Sequence, residues 1–125
     1  LGYGTFEWGT CSLSTERCNV AALENKGLTI SFSMKNTSER GGYIVPQIYV
    51  TDVAASTVRR VKELKAFQKV WLDAGQERTV SLQLGKEAFC LWNQKMKYVA
   101  EPGVFQIELS DSAQTIWKGE FTLCI

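Results

Sequence analysis

One hundred and twenty-five residues, 45% of them hydrophobic and 22% charged, are enough for one domain with a genuine core and too few for two comfortable ones. Lys+Arg exceed Asp+Glu by one, 14 against 13, which argues against a disordered charged tail and against a nucleic-acid binder that relies on a strong positive field. The chain has no histidine, so Ser-His and Cys-His nucleophilic catalysis and the commonest metal ligand are removed together.

Residues 1–26 read as an N-terminal segment carrying the first strand or strands, packed on a sandwich built by residues 27–125, the whole being a single domain. Leu28, Ile30, Phe32 and Met34 alternate with Thr29, Ser31, Ser33 and Lys35, a period-2 strand with one apolar face. Turn residues follow from Asn36 to Gly42, and Asn36-Thr37-Ser38 within them is an N-x-S sequon, a candidate glycosylation site on Asn36. Tyr43 to Val50 is nearly continuous apolar and β-branched sequence, which predicts one strand covered on most of both faces. Pro46, lacking an amide hydrogen, belongs at its edge or at a bulge.

Val58, Val61, Leu64, Phe67 and Val70 recur every third residue. Strict threes advance about 300° per step around a helix, so the apolar positions drift and hold no stripe. A loop running into a strand is expected there. Asp73-Ala74-Gly75 reads as a turn into the alternating Val80, Leu82 and Leu84, and Pro102-Gly103 as a turn into Phe105, Ile107 and Leu109. A last run sets Thr115, Trp117, Phe121 and Leu123 on one side, with Gly119 between them. Strands separated by turn signals, with no convincing helix to cross over, predict an all-β, antiparallel two-sheet β-sandwich.

The four cysteines, Cys11, Cys18, Cys90 and Cys124, include no C-x-x-C pair, which is wrong for a zinc ribbon or a thioredoxin-like site. Their even number fits one or two disulfides in a secreted protein, with buried free thiols as the alternative. Of the three possible pairings, Cys11 with Cys18 and Cys90 with Cys124 is favoured because the first pair closes a short loop. The first residue is Leu1, and no apolar run of ~18 residues is present, so a mature product or excised domain that does not span a membrane is expected. Neither a metal site nor a cofactor is indicated.

Several ordered motifs carry a resemblance. They are Lys35-Asn36-Thr37, Pro46-Gln47-Ile48-Tyr49-Val50 and Val61-Lys62-Glu63-Leu64-Lys65-Ala66-Phe67, followed by Val70, Leu72 and Gly75-Gln76. Thr79-Val80-Ser81-Leu82, Trp92-Asn93, Glu101-Pro102-Gly103, Phe105 and Gly119-Glu120-Phe121-Thr122-Leu123 complete the series. From about Leu28 onward the chain resembles the C-terminal fibronectin type III-like domain of family 3 glycoside hydrolases, enzymes of the β-glucosidase and β-xylosidase type. The resemblance implies an immunoglobulin/fibronectin type III-like sandwich appended to catalytic domains that hold both reacting carboxylates. No catalytic residue transfers to a position here. The amino-terminal Leu1-Gly2-Tyr3-Gly4 joins Thr5-Phe6-Glu7-Trp8 directly, a shorter run than family members use to join this domain to the catalytic body.

Glycoside hydrolysis needs two carboxylates flanking the bond, about 5 Å apart for retention. By residue type the candidates are Asp52, Glu63, Glu101 and Asp111, none in a motif that predicts a shared cleft, and Ser110-Asp111-Ser112 without histidine is no triad. Stacking on a pyranose would use aromatics. Trp71, Trp8 and Tyr98 are the candidate surface contacts, while Trp117 shares its parity with Phe121 and Leu123 and reads as core. Trp92 stands at a corner, where its indole could lock one end of the sandwich. Arg59, Arg60, Lys62 and Glu63 are candidates for interdomain docking, within a basic cluster that also includes Lys65 and Lys69 and reads first as a solvated face. The expected function is a non-catalytic accessory domain of a secreted hydrolase, partnered by its catalytic domains. The alternatives are a binding module for cell-wall polysaccharide or lignin, or for a protein. Nucleic acid and membrane are not expected partners.

Overall fold

The computed structural model describes residues 6–53, 62–92, 98–100, 102–111 and 114–124, with backbone alone at 91, 92 and 98–100. In chain order the elements are β1 (Phe6–Leu13), β2 (Arg17–Asn19), the helix α1 (Val20–Lys26), β3 (Leu28–Asn36), β4 (Gly42–Ile44) and β5 (Gln47–Asp52). After these come β6 (Lys62–Phe67), β7 (Val70–Leu72), β8 (Glu77–Leu84), a 3-10 turn (Lys86–Phe89) and β9 (Cys90–Trp92). β10 (Tyr98–Ala100), β11 (Gly103–Ser110) and β12 (Thr115–Cys124) complete the set.

The alternation in β3 decides the first layer. Leu28, Ile30, Phe32 and Met34 are all buried to 1% exposure or less. They pair across β8, where Leu84, Leu82 and Val80 lie opposite Leu28, Ile30 and Phe32. β1 covers the other side of β3, with a bulge between Trp8 and Cys11, giving the order β1-β3-β8. The second layer runs β2-β12-β11-β5-β6 and is antiparallel except for β2, which lies parallel to β12. Its inward residues are Ile48 and Val50 of β5, Phe105, Ile107 and Leu109 of β11, and Phe121 and Leu123 of β12. Two apolar faces meeting in this way remove both from water, the main driving force of the fold.

The ribbons β4–β7 and β9–β10 are two-stranded. Phe89, at the end of the 3-10 turn, fills the core against Phe105 (centroids 5.0 Å apart, 77° between planes) and Phe121 (5.2 Å). The all-β antiparallel sandwich read from the strand pattern is the fold observed. Trp117 packs against the core as its parity requires, its ring lying over Gly119, where a Cβ would come within 2.3 Å of it.

Three expectations need correction. A helix exists: Asn19 accepts a hydrogen bond from the Ala22 amide (2.8 Å) and Gly27, at φ 68°, ends the turn by donating to the Leu23 carbonyl (2.9 Å). Only Leu23 of its seven residues is buried, so no apolar stripe marks it. The run Tyr43 to Val50 is two strands, since β4 pairs with β7 and β5 with β11, with Val45-Pro46 as the corner between them. Ile44, Ile48 and Val50 are buried, and the other face is covered in part, Val45, Gln47 and Tyr49 being half-buried while Tyr43 is exposed. The every-third series does run into a strand, β6, although Leu64 and Phe67 point to solvent, and Val58 and Val61 lie outside the described residues.

Phe89→Ala should cost about 3–5 kcal/mol of folding stability, whereas Phe67→Ala should stay within about 0.5 kcal/mol. Urea unfolding of both variants checks this, and equal midpoints would show that Phe89 is not a core plug.

Candidate functional site

The ribbon β4–β7 and the neighbouring strand β6 carry three of the four described candidates for surface contact and docking, Trp71, Lys62 and Glu63. Val70 and Leu72 are buried, so the period of two turns Trp71 outward, with 45% of its surface exposed. Its ring lies against Gly41, where a Cβ would come within 2.5 Å of it, and its Nε1 donates to Asp73 Oδ1 at 2.9 Å. Tyr43, opposite Trp71 in register, meets it edge to face with centroids 4.8 Å apart and planes at 72°. The Lys69 ammonium sits 4.2 Å from the centroid of the Tyr43 ring.

The charged candidates are engaged within the domain. Lys62 Nζ donates to Glu108 Oε2 at 3.1 Å and lies 4.9 Å from the centre of the Tyr49 ring. Glu108 is the side chain that needs this, being 7% exposed at the centre of the outer face, with Lys118 3.7 Å from its other oxygen. Glu63 pairs with Lys65 at 3.0 Å. Arg59 and Arg60 lie outside the described residues, as does the side chain of Tyr98. Trp8 is half-buried and packs against the core, its ring 5.9 Å from that of Phe32.

Asn36 is corrected, for its side chain is wholly buried. Nδ2 donates both hydrogens, to the carbonyls of Arg40 (2.7 Å) and Leu72 (3.0 Å), while Oδ1 accepts from the amide and hydroxyl of Ser38 (2.9 and 2.7 Å). The nitrogen that would carry a glycan is the nitrogen that closes the turn. Sequence reasoning found the right residue for the wrong role, because a sequon and an Asn-Ser turn share the same letters.

The expected disulfides are absent, and all four cysteines are free thiols. Cys11 lies opposite Phe32 in the first sheet and Cys18 opposite Leu123 in the second. Facing layers stand about 10 Å apart, beyond the roughly 7 Å Cα limit for a bridge. Cys90 donates to the Lys86 carbonyl at 3.4 Å, and Cys124 accepts from Arg17 Nε at 3.0 Å. Burial pushes the Cys11 thiol up to about 11 from its ordinary 9.0. Burial is also the main cause raising Cys18, with the charge of Cys124 second.

The carboxylates suggested by residue type are spread over separate elements. Asp52 lies opposite Phe105 at the end of β5, Glu63 is in its ion pair, and Asp111 accepts from the Gln114 amide at 2.8 Å within its own turn. Glu101 lies outside the described residues. A cleft of about 280 Å³ between Lys65, Gln83, Leu84, Gly85, Glu87 and Ala88 holds one carboxylate, Glu87. Among the described residues no three His, Cys, Asp or Glu side chains gather as metal ligands, and no helix is long and apolar enough to cross a membrane.

Two packed, mainly antiparallel sheets, here of three and five strands, are the sandwich architecture that immunoglobulin and fibronectin type III domains share. Residues 44–113 match the fibronectin type III-like domain (Fn3-like), and the chain belongs to that family. It is 38% identical over 124 residues to the periplasmic beta-glucosidase of Salmonella typhimurium, covering 98% of this chain and 16% of that protein. A beta-xylosidase of Formosa agariphila is 38% identical over 114 residues, with 91% and 15% covered. The crystal structure of a beta-glucosidase from Listeria innocua in complex with gluconolactone superposes with a TM-score of 0.83 at 38% identity, over 97% of this chain and 16% of that one. The chain therefore spans about a sixth of the length of these relatives. The resemblance read from the ordered motifs holds, and the similarity extends beyond Leu28 into the amino-terminal strands.

Asn36→Ala leaves the Leu72 and Arg40 carbonyls without their donor and should cost about 1–3 kcal/mol, read as a lower urea midpoint with an unchanged m-value. The raised Cys11 thiol sets a pH dependence. Its folded form holds the proton above the ordinary 9.0, so its contribution is complete below that pH and is lost as pH climbs toward about 11. The unfolding midpoint should fall over that window, and less steeply in Cys11→Ala.

Proposed function

We propose that this chain is a non-catalytic accessory domain of a secreted family 3 glycoside hydrolase of the β-glucosidase or β-xylosidase type, stabilising the enzyme by packing on its catalytic domains. One observation carries this reading: nearly the whole chain is matched by hydrolases of which it accounts for only 15–16%. The spread of the described candidate carboxylates over separate elements supports it, because hydrolysis requires two of them flanking the bond, about 5 Å apart for retention and up to about 9.5 Å for inversion. Export is supported by the word periplasmic in the name of the Salmonella typhimurium relative, and the cysteines, being unbridged, add nothing to it.

A second reading, a module that binds cell-wall polysaccharide or lignin, has the exposure of Trp71 in its favour. Retention on insoluble glucan or lignin, lost in Trp71→Ala, would support it.

The purified 125-residue chain should release no nitrophenol from nitrophenyl β-glucoside or β-xyloside, while the encoded polypeptide that carries it should do so. Deleting these residues should lower the thermal inactivation temperature of that polypeptide. Turnover by the isolated chain would refute the reading, as would a deletion that leaves thermal inactivation unchanged.

A further inference from the structure

Among the described residues four large apolar side chains remain well exposed: Tyr43 at 58%, Leu64 at 45%, Phe67 at 65% and Trp71 at 45%. They are not scattered. Leu64 and Phe67 belong to β6, which ends the five-stranded sheet, and Tyr43 and Trp71 face each other across β4–β7. Only Gln68 and Lys69 separate β6 from β7, so the four lie along one margin of the sandwich. Scattered single apolar residues on a surface need no explanation, but large apolar side chains gathered on successive strands point to an interaction site.

The chemistry of the ridge selects the kind of partner. Stacking on a sugar needs an open, flat ring face with polar groups around it to take the hydroxyls. One face of Trp71 is given to Gly41, its N–H to Asp73, and the Tyr43 ring to Lys69. With 72° between their planes, the two rings form no common platform. Leu64 and Phe67 have no polar atom to offer a hydroxyl. Aromatic anchors already held by neighbours, continued by aliphatic surface, are instead what protein interfaces use, because little side-chain freedom is lost on docking. The relatives supply the occupant: about five sixths of each matched chain is other protein.

We infer that the ridge formed by Tyr43, Trp71, Phe67 and Leu64 is the face by which this domain packs on the remainder of a longer hydrolase polypeptide. This rests on the accessory-domain reading above and adds which surface does the packing. Hydroxyl-radical footprinting of the isolated chain and of the full encoded polypeptide tests it. Oxidation of Tyr43, Phe67 and Trp71 should fall severalfold in the full polypeptide. If protection appears instead around the Gly85–Ala88 cleft or on the outer face of β11 and β12, the domain docks by another face, and this inference fails while the accessory reading survives. No protection anywhere overturns both. Protection of Trp71 by soluble cello- or xylo-oligosaccharides, without any in the full polypeptide, overturns it in favour of a sugar site. As a second arm, Phe67→Glu should lower the melting temperature of the full polypeptide and leave that of the isolated chain unchanged. An equal effect on both, or on neither, counts against the ridge.

Discussion

The side-chain amide of Asn36 is the constraint on which the edge of this molecule depends. β3 ends there, and the chain must turn back to form β4, whose partner β7 arrives from a distant part of the sequence. The four side-chain hydrogen bonds of Asn36 join the end of the central strand, the following turn and the carbonyl of Leu72. Its backbone adds two more, donating to Gln76 and accepting from Gly75, which sits at φ 74° where glycine is at ease. The site is fully buried and needs two donors and an acceptor on one short planar group. Aspartate lacks the donors, serine lacks the reach, and alanine offers nothing.

A different problem is solved on the outer face of the larger sheet. Glu108 sits on central strand β11, where neighbouring side chains shield it from water, and an unpaired buried carboxylate would be costly. It is opposite Tyr49 on one side and Lys118 on the other, and Lys62 reaches it from β6, two strands away. The basic residues of this region therefore have internal work before any external one. Lys62 lies 46 residues from its partner in sequence, so local charge pattern could not have revealed the pairing.

What could be read from the letters followed from how strongly each segment is determined by its own period. β3, β8 and the end of β12 alternate cleanly because each has one buried and one wetter face. β11 alternates in its letters although Glu108 and Ser110 on its outer face are buried too, and the sandwich follows from these strands. Ordered motifs led to the family for a related reason: Lys35-Asn36-Thr37 and Gly75-Gln76 mark the two sides of the Asn36 knot. The helix α1 escaped because one buried leucine makes no periodicity, and the break at Pro46 because an apolar run reads the same in one strand or two. Leu64 and Phe67 were equally opaque. A hydrophobic letter in an edge strand looks like a core residue until the partner strands are known. The cysteines misled for want of distance, since neighbours in sequence fell on opposite layers.

The ridge and the knot are mechanically one feature. Trp71 points outward because Val70 and Leu72 on either side point in, and a slip of one residue would exchange them. That register is held at the Leu72 carbonyl by Asn36, and at the ring itself by Gly41, which belongs to the turn that Asn36 closes. The hydrogen bonds that secure the edge of the fold therefore also set the orientation of the exposed aromatics. A partner that packs on Trp71 and Tyr43 favours the same register, so docking and edge stability must be thermodynamically linked: whatever loosens the knot weakens the contact, and whatever fills the contact tightens the knot.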